Sequence, residues 1–234
     1  MIDLYYWPTS NGRKMTIALE EMELAYNIIP VNMRNGDTGR PEFLRINPNG
    51  KIPAMVDHDV PGGLVLFESV AMLQYLAEKS GRLMPKEIAA RYNVIKWLVF
   101  QAASIGPMFG QLAHFHDYAR EKFTYALNRY GSEVERLYRV LDTRLGESEY
   151  IASSEYSIAD IACWPWIQPS RQQQRFEDWP NLMRWHATLA ARPALQRGNT
   201  VRLDLQGIGA QTLSDAEWNA LFGWQQKPRG QASL

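Results

Sequence analysis

Apolar and polar positions along the first 80 residues repeat with two different periods, which predicts a small α/β unit. The crossover from the first strand to the second makes these two strands parallel. A turn at residues 61–63 (PGG) makes the last two antiparallel, so we expect a mixed sheet. Short apolar runs predict strands at residues 2–6, 26–31, 54–57 and 64–67. Amphipathic stretches predict helices at residues 11–23 and 68–79, with a single helical turn at 41–45.

From residue 88 onward only the helical period remains. Ser157 and Asp160 form a capping-box pattern that starts one of these helices. In the first predicted helix of this part, residues 88–115, Pro107 after Gly106 is expected to produce a kink. The helices are expected at residues 88–115, 122–145, from 157, 179–191 and 214–222. These patterns divide the chain into an α/β domain at residues 1–80, an all-helical domain at 88–198 and a tail at 199–234 with one short helix.

The composition narrows the class of protein. Lys and Arg number 25 and Asp and Glu number 25, so the net charge is zero and nothing favours a polyanion such as nucleic acid. The chain has no apolar run of 18 residues and no basic segment ahead of an apolar one near its start, so we expect a soluble, cytoplasmic protein without a membrane partner. The single cysteine, Cys163, excludes a disulfide framework and a zinc site built of cysteines alone.

Several motifs in a fixed order give the chain a family resemblance. The predicted βαβ–ββα order is the thioredoxin-like arrangement, here followed by helices. With residues 49–57 (NGKIPAMVD), 67–69 (FES) and 157–160 (SIAD), the sequence resembles a cytosolic glutathione transferase over residues 1 to about 198. Further segments are similar to the bacterial Nu class, which includes glutathione-dependent disulfide-bond oxidoreductases. These are residues 5–14, 40–49, 105–111, 129–130 and 156–166.

The resemblance implies a binding site for glutathione, a tripeptide with two carboxylates, one ammonium group and a thiol. It implies a cis bond at Pro53 that presents the backbone of Ile52 to the cysteinyl residue, although a simple turn proline gives the same dipeptide. Glu68 and Ser69 would take the γ-glutamyl group, or would merely cap a helix. Lys51 would meet the glycyl carboxylate, and Arg129 would also help to bind; each could instead be a solvated side chain.

Thiol activation is assigned by the resemblance to Thr9 and Asn11, which follow the first strand. A hydroxyl or an amide N–H can donate to the sulfur, and a helix N-terminus adds positive potential that favours the thiolate. Ser10 is a weaker candidate, and the whole segment could serve only as a helix cap. Tyr5 and Tyr6 suggest the tyrosine that other classes use, but strand tyrosines are more often core residues.

No cysteine occupies the strand–helix junction where thioredoxins and glutaredoxins carry theirs. If this protein reduces disulfides, both sulfur atoms must come from glutathione, most simply from two molecules bound together. Two departures from the family's oxidoreductases bear on that site: Thr38 replaces a glutamine, and residues 112–115 (LAHF) replace Asn-His-His-Phe, which makes the presumed second-substrate pocket more apolar. His114 and His116, two positions apart, do not suggest a metal site, and we expect none.

We therefore expect an enzyme that attacks disulfides with the thiolate of glutathione, its co-substrate, and uses no protein cysteine, since Cys163 is expected to be buried and inert. Conjugation of glutathione to an apolar electrophile or cleavage of an aryl ether is the alternative within enzymes. A non-catalytic glutathione-binding regulator is the alternative outside them. The resemblance also implies a homodimer, and the tail is expected to fold over the second-substrate pocket.

Overall fold

The N-terminal elements form a four-stranded mixed sheet in a computed structural model that describes residues 1–205 and 213–223. The sheet order is β2-β1-β3-β4, with β1 parallel to β2, and β3 antiparallel to both β1 and β4. The mixed sheet expected from the crossover and the turn is confirmed. The strands are β1 (Ile2–Tyr6), β2 (Tyr26–Pro30), β3 (Ala54–Asp57) and β4 (Leu64–Phe67).

Three helices accompany this sheet: α1 (Ser10–Glu21), α2 (Pro41–Leu44) and α3 (Ser69–Ser80). Methionine and aliphatic side chains on one side of α1 and α3 are fully buried and share one hydrophobic core with β1 and β3. Burial of this apolar stripe stabilises helices that would be marginal as isolated peptides. The strand and helix positions differ from the expected ones by at most two residues.

The rest of the chain is helical, as the period predicts. Its helices are α4 (Ile88–Phe100), α5 (Gly106–Ala113), α6 (Thr124–Glu147), α7 (Ile158–Cys163), α8 (Pro180–Ala190), α9 (Pro193–Thr200) and α10 (Asp215–Phe222). The capping box of Ser157 and Asp160 is present. In the part of the chain that the structure describes, no helix is long and apolar enough to cross a bilayer.

Three features of the helical part differ from expectation. The interruption before Pro107 is a π-helical turn, Gln101–Ile105, and a second one, His114–Tyr118, follows α5. The helix α9 was not expected, because Pro193 was taken as a terminator, whereas proline is also well suited to the first turn of a helix. The apolar stripe of α6 is buried only from Val134 onward, and Tyr125 at its start is 83% exposed.

Several contacts join the helical part to the α/β unit, among them those of α1 and α3 with α7 and those of α9 and α10. Helix α9 lies so close to α1 that a Cβ added at Gly198 would be 2.5 Å from the Cα of Ile17. Helix α10 contacts the short 3-10 helix Met33–Asn35 of the α/β unit and, through the Trp218 indole, the end of the second π turn at Tyr118. The expected short tail helix is thus present. The remaining residues of the predicted tail, 206–212 and 224–234, lie outside the described part.

Candidate functional site

The N-terminus of α1 places the first two predicted site residues. Thr9 is the N-cap, and its Oγ1 accepts a hydrogen bond from the Gly12 amide at 3.2 Å. The hydroxyl proton of Thr9 is not used in this bond and remains able to donate to a ligand. The capping interpretation of Thr9 is therefore correct, and it is compatible with a role towards a thiolate. Tyr6 is fully buried and donates to the Val201 carbonyl, as expected for a core tyrosine.

Asn11, two residues further on, is oriented from the helical part of the protein. The indole Nε1 of Trp166 donates to Asn11 Oδ1 at 3.1 Å. Within residues 1–205 and 213–223 the Asn11 N–H₂ group makes no hydrogen bond, so it can donate to a ligand. Gln168 approaches the neighbouring Ser10 in the same way, with 3.4 Å between Nε2 and Oγ. Trp166 and Gln168 lie some 155 residues away in sequence, so local patterns gave no sign of either.

The loop before β3 carries the predicted clamp. The side chain of Asn47, 2% exposed, donates to the Lys51 carbonyl at 2.6 Å and accepts from the Asn49 amide at 2.9 Å, so it fixes both ends of the turn. The Ile52–Pro53 bond is cis, as the resemblance implied. Ile52 is buried in a small apolar cluster, whereas the Lys51 side chain is exposed.

Glu68 and Ser69 meet that loop at the start of α3. Glu68 has φ of 68°, a backbone conformation that is unusual for a residue other than glycine, and its side chain makes no capping bond. Asn49 Nδ2 donates to Glu68 Oε1 at 3.4 Å, which joins the loop to this corner. Ser69 is the first residue of the helix. The alternative in which Ser69 caps α3 is therefore wrong, and the first N–H groups of the helix are free for a carboxylate.

Lys14 belongs to the same region and was missed. It is 1% exposed, and its Nζ donates to Ser69 Oγ at 3.2 Å and to Gln101 Oε1 at 2.6 Å. Burial lowers the pKa of Lys14 to about 7, and nearby Cys163 and Glu68 oppose that shift. In the sequence Lys14 follows Arg13 in a run of polar positions, which indicates the solvent side of α1. Tertiary contacts from α3 and the first π turn decide otherwise.

Arg129 stands apart from these residues. Its side chain is 58% exposed, and its guanidinium lies 3.9 Å from Glu133, one turn further along α6. Among residues 1–205 and 213–223, no hydrogen bond or ion pair joins Arg129 to the other predicted site residues. A role of Arg129 in glutathione binding stays a prediction.

Cys163 and residues 112–115 are also located. The thiol of Cys163 is fully buried, and burial raises its pKa well above the usual range, so it is not a nucleophile. Leu112 lies in the hydrophobic core at 2% exposure, so its replacement of a polar residue changes the core more than an open pocket. Within the described ranges no cluster of three His, Cys, Asp or Glu side chains could hold a metal ion.

Comparison with known proteins agrees with this arrangement. The family model for the glutathione S-transferase N-terminal domain matches residues 2–78, and that for the C-terminal domain matches residues 124–188. The disulfide-bond oxidoreductase YfcG of Escherichia coli is 48% identical over 198 residues, which cover 83% of this chain and 92% of YfcG. The chain belongs to the glutathione S-transferase family. YghU, a second disulfide-bond oxidoreductase of E. coli, is 35% identical over 86% of this family member and 74% of YghU.

Solved structures of the glutathione S-transferase family share the fold. A glutathione transferase from Pseudomonas putida, with one glutathione disulfide bound per subunit, is 43% identical, with a TM-score of 0.82 over 86% of this chain and 91% of that one. A second, from Burkholderia graminis, has two glutathione molecules bound per subunit and is 42% identical. Its TM-score is 0.81 over 86% of this chain and 88% of that one. The thioredoxin-like α/β unit followed by helices is therefore the glutathione transferase fold.

Proposed function

We propose that this protein reduces disulfides with the thiol of glutathione and without a protein cysteine. The observation that carries the proposal is the α1 N-terminus, where the Thr9 hydroxyl and the Asn11 amide can donate to a ligand. The one cysteine of the chain, Cys163, is buried in the core. Two donors at the N-terminus of one helix, where the helix dipole is positive, favour a thiolate over a thiol.

The tripeptide would lie across the α/β unit, which we assign to residues 1–80. The Ile52 backbone pairs with the cysteinyl residue of glutathione, and Lys51 meets the glycyl carboxylate. At the other end Ser69 and the free N–H groups of α3 hold the γ-glutamyl carboxylate, and Glu68 takes the ammonium group. The protein thus offers a positive charge, Lys51, at one end of glutathione and a negative charge, Glu68, at the other. A zwitterionic ligand needs only such a few placed charges, so its binding agrees with the zero net charge of the chain.

The reaction then needs two glutathione thiols. The first thiolate attacks one sulfur of the disulfide R–S–S–R, so a mixed disulfide forms and RS⁻ leaves. A second glutathione thiolate attacks the glutathione sulfur of that mixed disulfide, releases the other RS⁻ and yields glutathione disulfide. The bound glutathione disulfide and the paired glutathione molecules in the two solved relatives support a site of this size. Helices from residues 88–198 would enclose the second substrate.

A coupled assay tests this function. The protein is incubated with glutathione and bis(2-hydroxyethyl) disulfide, and glutathione reductase with NADPH reports the glutathione disulfide formed. We expect turnover above the uncatalysed rate, and the same turnover per folded molecule for Cys163→Ala. Conjugation of 1-chloro-2,4-dinitrobenzene without any disulfide turnover would favour the transferase alternative. Binding of glutathione with neither activity would favour the regulatory one.

We also propose that the protein is a cytoplasmic homodimer. Apolar side chains of the edge strand β4 and of α4 are exposed in the single chain, among them Val65 at 46%, Tyr92 at 62% and Val99 at 55%. Exposed apolar surface of this kind is typical of a subunit interface. Light scattering at micromolar concentration is expected to give twice the mass of the chain, and Tyr92→Glu should reduce it; a wild-type monomer would contradict the proposal.

A further inference from the structure

Lys14 is a buried cation for which the proposed reaction has so far no use. It is 1% exposed, and within residues 1–205 and 213–223 its hydrogen-bond partners are two neutral groups, Ser69 Oγ and Gln101 Oε1. Its Nζ also lies 6.0 Å from the centroid of the Trp166 ring. A buried ammonium group without an anion in contact is costly, so its retention at this position calls for an explanation.

The direction of the hydrogen bond from Lys14 to Ser69 suggests an explanation for the buried lysine. When Nζ donates to Ser69 Oγ, it occupies a lone pair of that oxygen and leaves the hydroxyl proton to point away from Lys14. Hydrogen bonds in such a chain polarise one another, so the serine becomes a stronger donor. A neutral amine at Nζ can instead accept the Ser69 proton, which would turn the hydroxyl inward and away from a ligand.

We propose that Lys14 is a positioning residue of the glutathione site: it sets the Ser69 hydroxyl to donate to the γ-glutamyl carboxylate, and it takes up a proton when that carboxylate binds. The inference rests on the proposed function, since it uses Ser69 as a ligand of glutathione. It adds to that function a coupling between binding and protonation. Lys14 does not touch the ligand in this scheme, because Ser69 lies between them.

The sign of the pH dependence follows from the groups that face Lys14. Burial lowers the pKa of Lys14 to about 7, so near neutral pH the free protein holds this proton only in part. Glu68 is the carboxylate that acts on Lys14 from α3, and Cys163 on α7 remains a neutral thiol because its own pKa is raised. An incoming carboxylate adds a second negative charge and raises the pKa of Lys14. Affinity should therefore be highest below pH 7 and fall as the pH rises to 8.

Calorimetric titration with S-methylglutathione tests the coupling. This ligand keeps both carboxylates but has no thiol to ionise, so proton exchange reports the protein. Titrations at pH 7.5 in buffers of different ionisation enthalpy should show uptake of part of a proton by the wild type. Affinity should drop about five-fold between pH 6 and pH 8. Lys14→Met, which matches the side chain in length without its charge, should bind about ten-fold more weakly and without proton uptake.

Lys51→Met is the matched control, because it removes the exposed lysine at the other end of the ligand. It should weaken binding yet keep the proton uptake and the pH slope of the wild type. Wild-type binding without proton uptake overturns the inference and leaves the proposed function intact. The same uptake in Lys14→Met overturns the assignment to Lys14. A wild type that does not bind S-methylglutathione at all overturns the glutathione site and the inference together.

Discussion

The α/β unit meets the helical part at several faces, two of which differ clearly in construction. At the first, α1 packs on α9 with backbone in contact: the Thr16 hydroxyl donates to the Gly198 carbonyl at 2.7 Å, and Arg192 holds Glu21 through two bonds of 2.7 and 2.8 Å. The second is formed by α10, none of whose residues is buried. Its ion pair between Arg34 and Glu217 spans 3.7 Å, with both side chains about 30% exposed.

The contrast indicates that the first face fixes the position of α9 on α1, whereas the second face can be opened by releasing α10. Removing a buried partner leaves a polar group or a cavity that water cannot fill, so each contact of the first face matters for stability. The side chains of a solvent-exposed ion pair bind water when the pair is broken, so its loss changes the free energy of unfolding very little. The site at the start of α1 depends on a further contact between the two parts, because Trp166 donates from the helical part to Asn11. The tail is expected from the sequence to fold over the second-substrate pocket, and the weakly held second face would let α10 move away from it.

The largest effect is expected from Gly198→Ala. An added Cβ would lie 2.5 Å from Ile17 Cα and 2.6 Å from its nitrogen, and backbone atoms cannot move aside as a side chain can. We expect the free energy of unfolding to fall by about 3 kcal/mol as α9 is pushed from α1. Urea denaturation measures it.

Gly131→Ala is its control, because nothing lies within 4 Å of the Cβ that would be added in α6. Alanine is the better helix former, so this variant should gain about 0.5–1 kcal/mol. Equal effects of the two substitutions would mean that α9 and α1 are not in close contact.

Next comes Asn11→Ala, which removes a donor from the proposed thiolate site. Loss of one such donor typically lowers turnover by about 100-fold, so we expect a drop of that order in disulfide reduction. Trp166→Phe keeps a large ring but cannot donate to Asn11 Oδ1, so the Asn11 side chain is no longer held in one orientation. Turnover should fall by a smaller factor of about 5–10. Ser10→Ala is the control and should stay within about three-fold of wild type. Full activity in Asn11→Ala would refute the site.

How much of this site the sequence could predict depends on the range of the contacts. The starts of α1 and α3 are local features, and the patterns placed them to within a residue; the cis Ile52–Pro53 bond was implied by the family resemblance. Lys14 was missed because a lysine on an amphipathic helix is ordinarily solvated, and the groups that bury it, among them Ser69 and Gln101, are distant in sequence. The contact of Trp166 with Asn11 could not be predicted either, because the two residues are 155 positions apart in the sequence.

The misjudged helical segments have a different cause. Pro193 is equally compatible with ending one helix and beginning the next, and its neighbours alone do not decide between them. The π turn Gln101–Ile105 is a single turn between two α-helices, which is too short for a separate period to be recognised in the sequence. The amide of Gly106 bonds to the Gln101 carbonyl there, and the wide turn brings Gln101 to Lys14.

A smaller effect is expected at the second face from Trp218→Ala. The indole donates to the Tyr118 carbonyl at 2.9 Å, and the Arg120 guanidinium lies 4.2 Å from its ring centroid. Because α10 is exposed, its release should cost less than about 1 kcal/mol of global stability while amide exchange in residues 215–222 rises strongly. Turnover of bulky disulfides should increase relative to small ones. Unchanged exchange in this segment would show that other contacts hold α10.

The smallest effect is expected from Arg34→Gln, which breaks the pair with Glu217 between the α/β unit and α10. An exposed pair of this length contributes about 0–0.5 kcal/mol, and salt screens it. Amide exchange of α10 should therefore rise slightly at low ionic strength and match the wild type at 1 M salt. Arg40→Gln is the control, since its partner Asp37 lies within the same loop. A large, salt-independent loss in Arg34→Gln would mean that the second face is as firmly built as the first, and that α10 does not act as a movable cover.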